Sequence, residues 1–92
     1  MKLNPNKYYW CILKVGNEEK KSRCIQLGYR PLTEDELKSV GNSLSVNPTH
    51  VVSFFDFESR RQIFARLIAE DEHSVTFQVG PDKYYIFREF TL

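Results

Sequence analysis

The chain has 92 residues, of which 41% are hydrophobic, 14% aromatic and 27% charged. That length supports one domain, 1–92, with a small core. Thirteen basic against twelve acidic residues leave a net charge of +1, which excludes a chain-wide nucleic-acid footprint and an acidic mimic of nucleic acid.

Residues 1–6 read as a flexible arm, because Pro5 interrupts regular structure. The segment Met1–Lys7 lacks the apolar stretch of a secretory signal, and no run approaches the ~20 apolar residues of a membrane span. The sequence therefore reads as cytoplasmic.

Two alternating runs, 7–15 and 20–29, predict an N-terminal β-hairpin over the four-residue loop Gly16-Asn17-Glu18-Glu19. In that register Cys11 faces Cys24, Trp10 faces Ile25 and Tyr8 faces Leu27, apolar against apolar. The two thiols would then lie close enough to bridge. A reducing cytosol makes them two small buried hydrophobes instead. Tyr9, Cys11, Leu13 and Val15 share one face of the first strand, and Tyr8, Trp10 and Ile12 the other. A strand apolar on both faces is covered on both sides.

Thr33 and Glu36 have the spacing of a capping box, with Leu32 and Leu37 placed as a hydrophobic staple. Glu34, Asp35 and Glu36 fall in the first turn, where the helix dipole favours negative charge, and Gly41 supplies the stop. One short helix, 33–41, is predicted. It is too short to persist alone, so it is expected to dock on a core through Leu37, Val40 and Leu44.

After a polar loop closed by Asn47-Pro48, residues 50–57 read as a strand rich in β-branched and aromatic side chains. Residues 57–70 carry two readings. An amphipathic helix gathers Phe57, Ile63, Phe64, Leu67 and Ile68 on one side, but it puts Arg60 and Arg61 at its positive end and Glu70, Asp71 and Glu72 at its negative end. A strand over 61–69, turning at Glu70–His73, avoids that conflict and is the first choice. A last hairpin, 74–79 and 84–91, turns at Gly80-Pro81-Asp82-Lys83. A four-residue loop pairs Val79 with Tyr84 and Phe77 with Ile86. Val75, Phe77, Val79, Tyr84, Ile86 and Phe90 then face a core. Thr76, Gln78, Tyr85, Phe87 and Glu89 face outward.

The fold class expected is α+β: the N-terminal hairpin, the short helix, then a three- to four-stranded antiparallel meander, barrel-like or packed on the helix. The alternative makes 57–70 a second helix. In rhythm alone, and in no motif, Ile63–Phe90 resembles small SH3- and Sm-like barrels.

Catalytic chemistry has little to stand on. Cys24 and His50 sit in no nucleophile signature. Glu70, Asp71, Glu72 and His73 are adjacent on one turn, and adjacent residues seldom converge on one ion. No glycine-rich phosphate loop is present. No catalytic residue, metal site or cofactor is expected. The outward aromatics Tyr85 and Phe87, with Tyr8 and Tyr9, suit a protein interface. The basic residues Lys20, Lys21, Arg23, Arg60, Arg61 and Arg66 beside aromatic rings suit RNA or single-stranded DNA. Small chains without catalytic constellations, phage and mobile-element proteins among them, often act by occupying a partner's surface. The sequence thus reads as a non-catalytic protein-binding module, an inhibitor or adaptor, with nucleic-acid binding as the alternative. An edge strand, 20–29 or 84–90, offers a route to a homodimer.

Overall fold

The computed structural model describes residues 1–40, 46–56 and 59–90. Six strands, β1 (Tyr8–Val15), β2 (Glu18–Pro31), β3 (His50–Asp56), β4 (Ser59–Glu70), β5 (Ser74–Gly80) and β6 (Lys83–Glu89), with one helix, α1 (Glu34–Val40), follow in chain order. Every strand runs antiparallel to the next, and β6 returns to β1, closing a barrel. This corrects the expected α+β meander on a helix. The N-terminal hairpin and the C-terminal strands are one continuous wall. Residues 59–70 are a strand, and no second helix forms there.

The helix is an appendage. Its capping box is in place: the Glu36 amide donates to Thr33 Oγ1 at 3.2 Å and the Thr33 amide to Glu36 Oε1 at 2.9 Å. Arg30 donates to both Glu36 oxygens at 2.7 and 3.0 Å, and this guanidinium, helped by the Thr33 amide, holds the Glu36 carboxyl down to about 2. Yet α1 buries no residue, and Leu37 is exposed. The predicted docking on a core is therefore wrong, and local capping does the work assigned to packing. Gly41, Leu44 and Phe57 lie outside the described residues.

The barrel interior is filled. Tyr9, Cys11, Cys24, Leu27, Val52, Phe54, Ala65, Val75, Phe77 and Phe87 form one buried cluster, with Ile63, Leu67, Val79 and Tyr85 against it. Phe54 and Phe77 meet Phe87 edge-on at 5.2 and 6.1 Å between centroids. At one end Met1 and Leu3 pack on this core, and the Asn4 amide donates to the Tyr9 hydroxyl at 2.8 Å. The arm read as loose is here folded over the barrel.

Two registers differ from expectation. The first hairpin turns on two residues, pairing Val15 with Glu18 and Tyr9 with Cys24. Gly16, at φ 60°, takes the first central position, as a type II′ turn requires. The slip is two residues, so each side chain keeps its face, but Cys11 now opposes Ser22, not Cys24. The last hairpin also turns on two residues, and a bulge between Gln78 and Gly80 absorbs one more. Phe77 pairs with Tyr85 and Val75 with Phe87. A slip of one residue exchanges the faces of a strand, so Tyr85 and Phe87 point inward.

Strand β2 bends at a second bulge, between Ile25 and Gly28, where Gln26 takes a φ of 57°. A residue with a Cβ is strained there. Gln26→Gly should raise stability by roughly 0.5–1 kcal/mol, the relief of strain exceeding the added freedom of the unfolded chain. A urea midpoint measures it; an unchanged or lower midpoint would contradict the strained geometry.

The bend divides β2 between two neighbours. Residues 18–25 pair with β1 and residues 24–31 with β3, so among the described residues 18–23 have a strand partner on one side only. Strand β6 is paired on both sides, and the free edge expected at 84–90 is absent. Among the described residues, no helix is long and apolar enough to cross a membrane.

Candidate functional site

With the core full, side chains of the opposite parity stand outside, and their cross-strand neighbours follow from the registers. Phe55 on β3 opposes Ile25 on β2, and Ile25 opposes Tyr8 on β1. Phe90 continues this row: its amide donates to the Tyr8 carbonyl at 3.4 Å and the two rings lie 6.4 Å apart. Tyr8 is 54% exposed and Phe55 38%. Tyr8, Arg23, Cys24, Ile25 and Phe55 line a pocket of about 320 Å³.

A second row runs alongside. Trp10 opposes Arg23 on one flank and Arg88 on the other, and Ile12 likewise stands between Lys21 and Ile86. The Lys21 ammonium lies 4.1 Å from the Trp10 ring centroid and the Arg23 guanidinium 5.9 Å from that of Phe90, both within cation–π range. Trp10 and Phe90 are 4.7 Å apart. Among the described residues, no carboxylate pairs with Lys21, Arg23 or Arg88. The result is an aromatic band edged by unneutralised cations.

Of the four aromatics selected from sequence, only Tyr8 belongs to this band. Tyr9 and Phe87 are fully buried core residues, and Tyr85 is half-buried inside the barrel. The β5–β6 bulge reverses β6 and so turns Tyr85 and Phe87 inward, whereas Tyr9 shares the core face of β1 with Cys11. Sequence reasoning missed Trp10, Ile25, Phe55, Phe90 and Arg88. The available signal was the alternation Tyr8/Trp10/Ile12 against Tyr9/Cys11/Leu13, which marks two apolar faces of one strand.

The basic residues are divided. Lys21 and Arg23 edge the band, and Arg60, opposite Phe55, adjoins it. Arg66 stands on β4 opposite Gln78 of β5, away from β1 and β2. Lys20 and Arg61 line a small opening at the barrel end remote from Met1, together with Cys11, Leu13, Ser22, Asp56 and Tyr85. There Asp56 Oδ2 meets Arg61 Nε at 3.0 Å. Burial raises the Tyr85 phenol above its usual range, and the nearby Cys11 and Asp56 add to this.

The groups considered for catalysis are otherwise engaged. Burial pushes the Cys24 thiol up to about 12 and Cys11 to about 11; both are free and in the core. His50 Nδ1 meets Thr49 Oγ1 at 2.8 Å, not a thiol. Asp71 accepts from the His73 and Ser74 amides at 2.8 Å each, which holds its carboxyl below the ordinary range. His73 meets Glu89 at 2.9 Å, and that contact raises its imidazole. Glu70 accepts from the Tyr29 hydroxyl, which lowers Glu70; burial, and then that bond, raise Tyr29. Among the described residues, no three His, Cys, Asp or Glu side chains converge as metal ligands. Comparison with family models, curated proteins and solved structures finds no match to this chain.

Proposed function

We propose that the protein is a non-catalytic protein-binding module, an inhibitor or adaptor that engages its partner through the outer face of β1, β2 and β3. One observation carries this reading: exposed Tyr8 and Phe55 flank half-buried Ile25 in a continuous row outside a barrel whose interior is already filled. Exposed apolar rows of this kind, with aromatics and arginine, are what interfaces use as anchors.

A photo-crosslinking side chain at Tyr8 tests it in a host lysate, with and without nuclease. Protein adducts should form, and Phe55→Ala should reduce them about tenfold or more, as loss of an interface anchor does. The pair Phe64→Ala/Ile68→Ala, exposed on β4, should leave them unchanged. All variants should keep the wild-type circular dichroism. Equal loss from both surfaces would remove the assignment of the face.

The cations over the Trp10 and Phe90 rings favour a second reading, binding of single-stranded nucleic acid. It requires affinity for homopolymer RNA that falls steeply with salt. Adducts lost on nuclease treatment would select it over the first.

A further inference from the structure

The opening at the barrel end opposite Met1 is separate from the aromatic band. It has a volume of about 220 Å³ and is lined by Cys11, Leu13, Lys20, Ser22, Asp56, Arg61 and Tyr85. Mouths of barrels are recurrent ligand sites, with an apolar wall and a few convergent polar groups. Here Leu13 and the Tyr85 ring supply the wall.

The polar groups are mostly donors. The Lys20 ammonium has no carboxylate partner among the described residues. Arg61 meets Asp56 through Nε, which leaves the terminal nitrogens of its planar fork to donate to another partner. The Tyr85 hydroxyl, half-buried, makes no hydrogen bond to another described residue, whereas Ser22 Oγ already donates to the Cys11 carbonyl at 3.4 Å. Among the described residues, Asp56 is the one carboxylate lining the opening, and Arg61 pairs with it. Across the described lining residues, Lys20 leaves a net positive charge.

We propose that this mouth is a binding site for a small oxyanion, a carboxylate or phosphate held by Lys20, the free fork of Arg61 and the Tyr85 hydroxyl. The volume of about 220 Å³ suits a group of that size. The site is independent of the outer face, so failure of either leaves the other standing.

Nuclear magnetic resonance titrations with sodium phosphate and with sodium acetate, at ionic strength held constant by sodium chloride, test it. The Ser22 amide, the Arg61 Nε and the Tyr85 ring should shift saturably with at least one of the two anions. Which anion saturates identifies the ligand chemistry. Lys20→Met keeps the aliphatic stem, and Tyr85→Phe keeps the ring. Each should weaken the saturating anion about tenfold, the worth of one hydrogen bond to a charged group. Shifts that rise linearly with both anions, or that spread over surface lysines such as Lys2 and Lys7, would overturn the proposal. So would unchanged affinity in both variants.

Discussion

Phe87→Ala should cost about 3–5 kcal/mol, the range for truncating a buried phenylalanine. Phe87 is fully buried, with Phe54, Phe77 and Tyr85 within 5.2 to 6.1 Å between ring centroids. No neighbour can follow the ring inward, because the other five strands fix the wall. Domains of this size have about 5–15 kcal/mol in total, and each kcal/mol moves the melting temperature by roughly 4–8 °C. The variant should therefore melt at least about 12 °C lower or lose its cooperative transition. Tyr8→Ala, on the outside, should stay within about 1 kcal/mol. The comparison that decides the register is Phe87→Ala against Ile86→Ala. If Ile86→Ala were the more damaging, the bulge at Val79 would not exist and β6 would face the other way.

That bulge marks the boundary of what the sequence discloses. Alternation and turn residues located all six strands and the short helix, and the Thr33–Glu36 spacing predicted a capping box that forms. Closure is not visible in the sequence, because it depends on β1 near one end of the chain meeting β6 near the other, and no local pattern encodes that pairing. The two hairpin slips show how unequal the errors are. At Gly16-Asn17 the slip is two residues and every face survives, so Tyr9 and Cys11 were correctly grouped. At Val79 one extra residue reverses the strand, and Phe87 moves from the presumed surface to the centre. Tyr84-Tyr85-Ile86-Phe87 offers apolar side chains to both sides, so composition could not choose between them. Phe54-Phe55 carries the same ambiguity on β3: Phe54 is buried in the core and Phe55 stands in the exposed row. The helix failed differently: exposed capping and a bidentate arginine replaced the packing that its length appeared to demand.

Alkaline titration should expose the two core thiols as an acid-linked contribution to stability. Their ordinary value is 9.0, and burial raises Cys11 to about 11 and Cys24 to about 12. Raising the folded value means that the folded state retains its protons where the unfolded chain releases them. The contribution is therefore complete below pH ~9, and it is lost as pH rises towards the folded values. By pH ~11 the loss should be on the order of 2 kcal/mol for each thiol. Tyr29 and Tyr85 are raised as well, and their loss begins higher, above their ordinary 10.0. The urea midpoint should thus fall continuously from pH ~9, the first part due to cysteine and the later part shared with tyrosine. Cys11→Ala/Cys24→Ala should start from a lower stability because of the cavities left, yet it should stay flat to pH ~10. Thiol reagents offer an orthogonal reading, since a sulfur held protonated by its surroundings is a poor nucleophile and should react slowly until the pH approaches its raised value. A double variant that declined as steeply as the wild type between pH ~9 and ~10 would show that the thiols are hydrated, and a barrel packed around Cys11 and Cys24 could not then be correct.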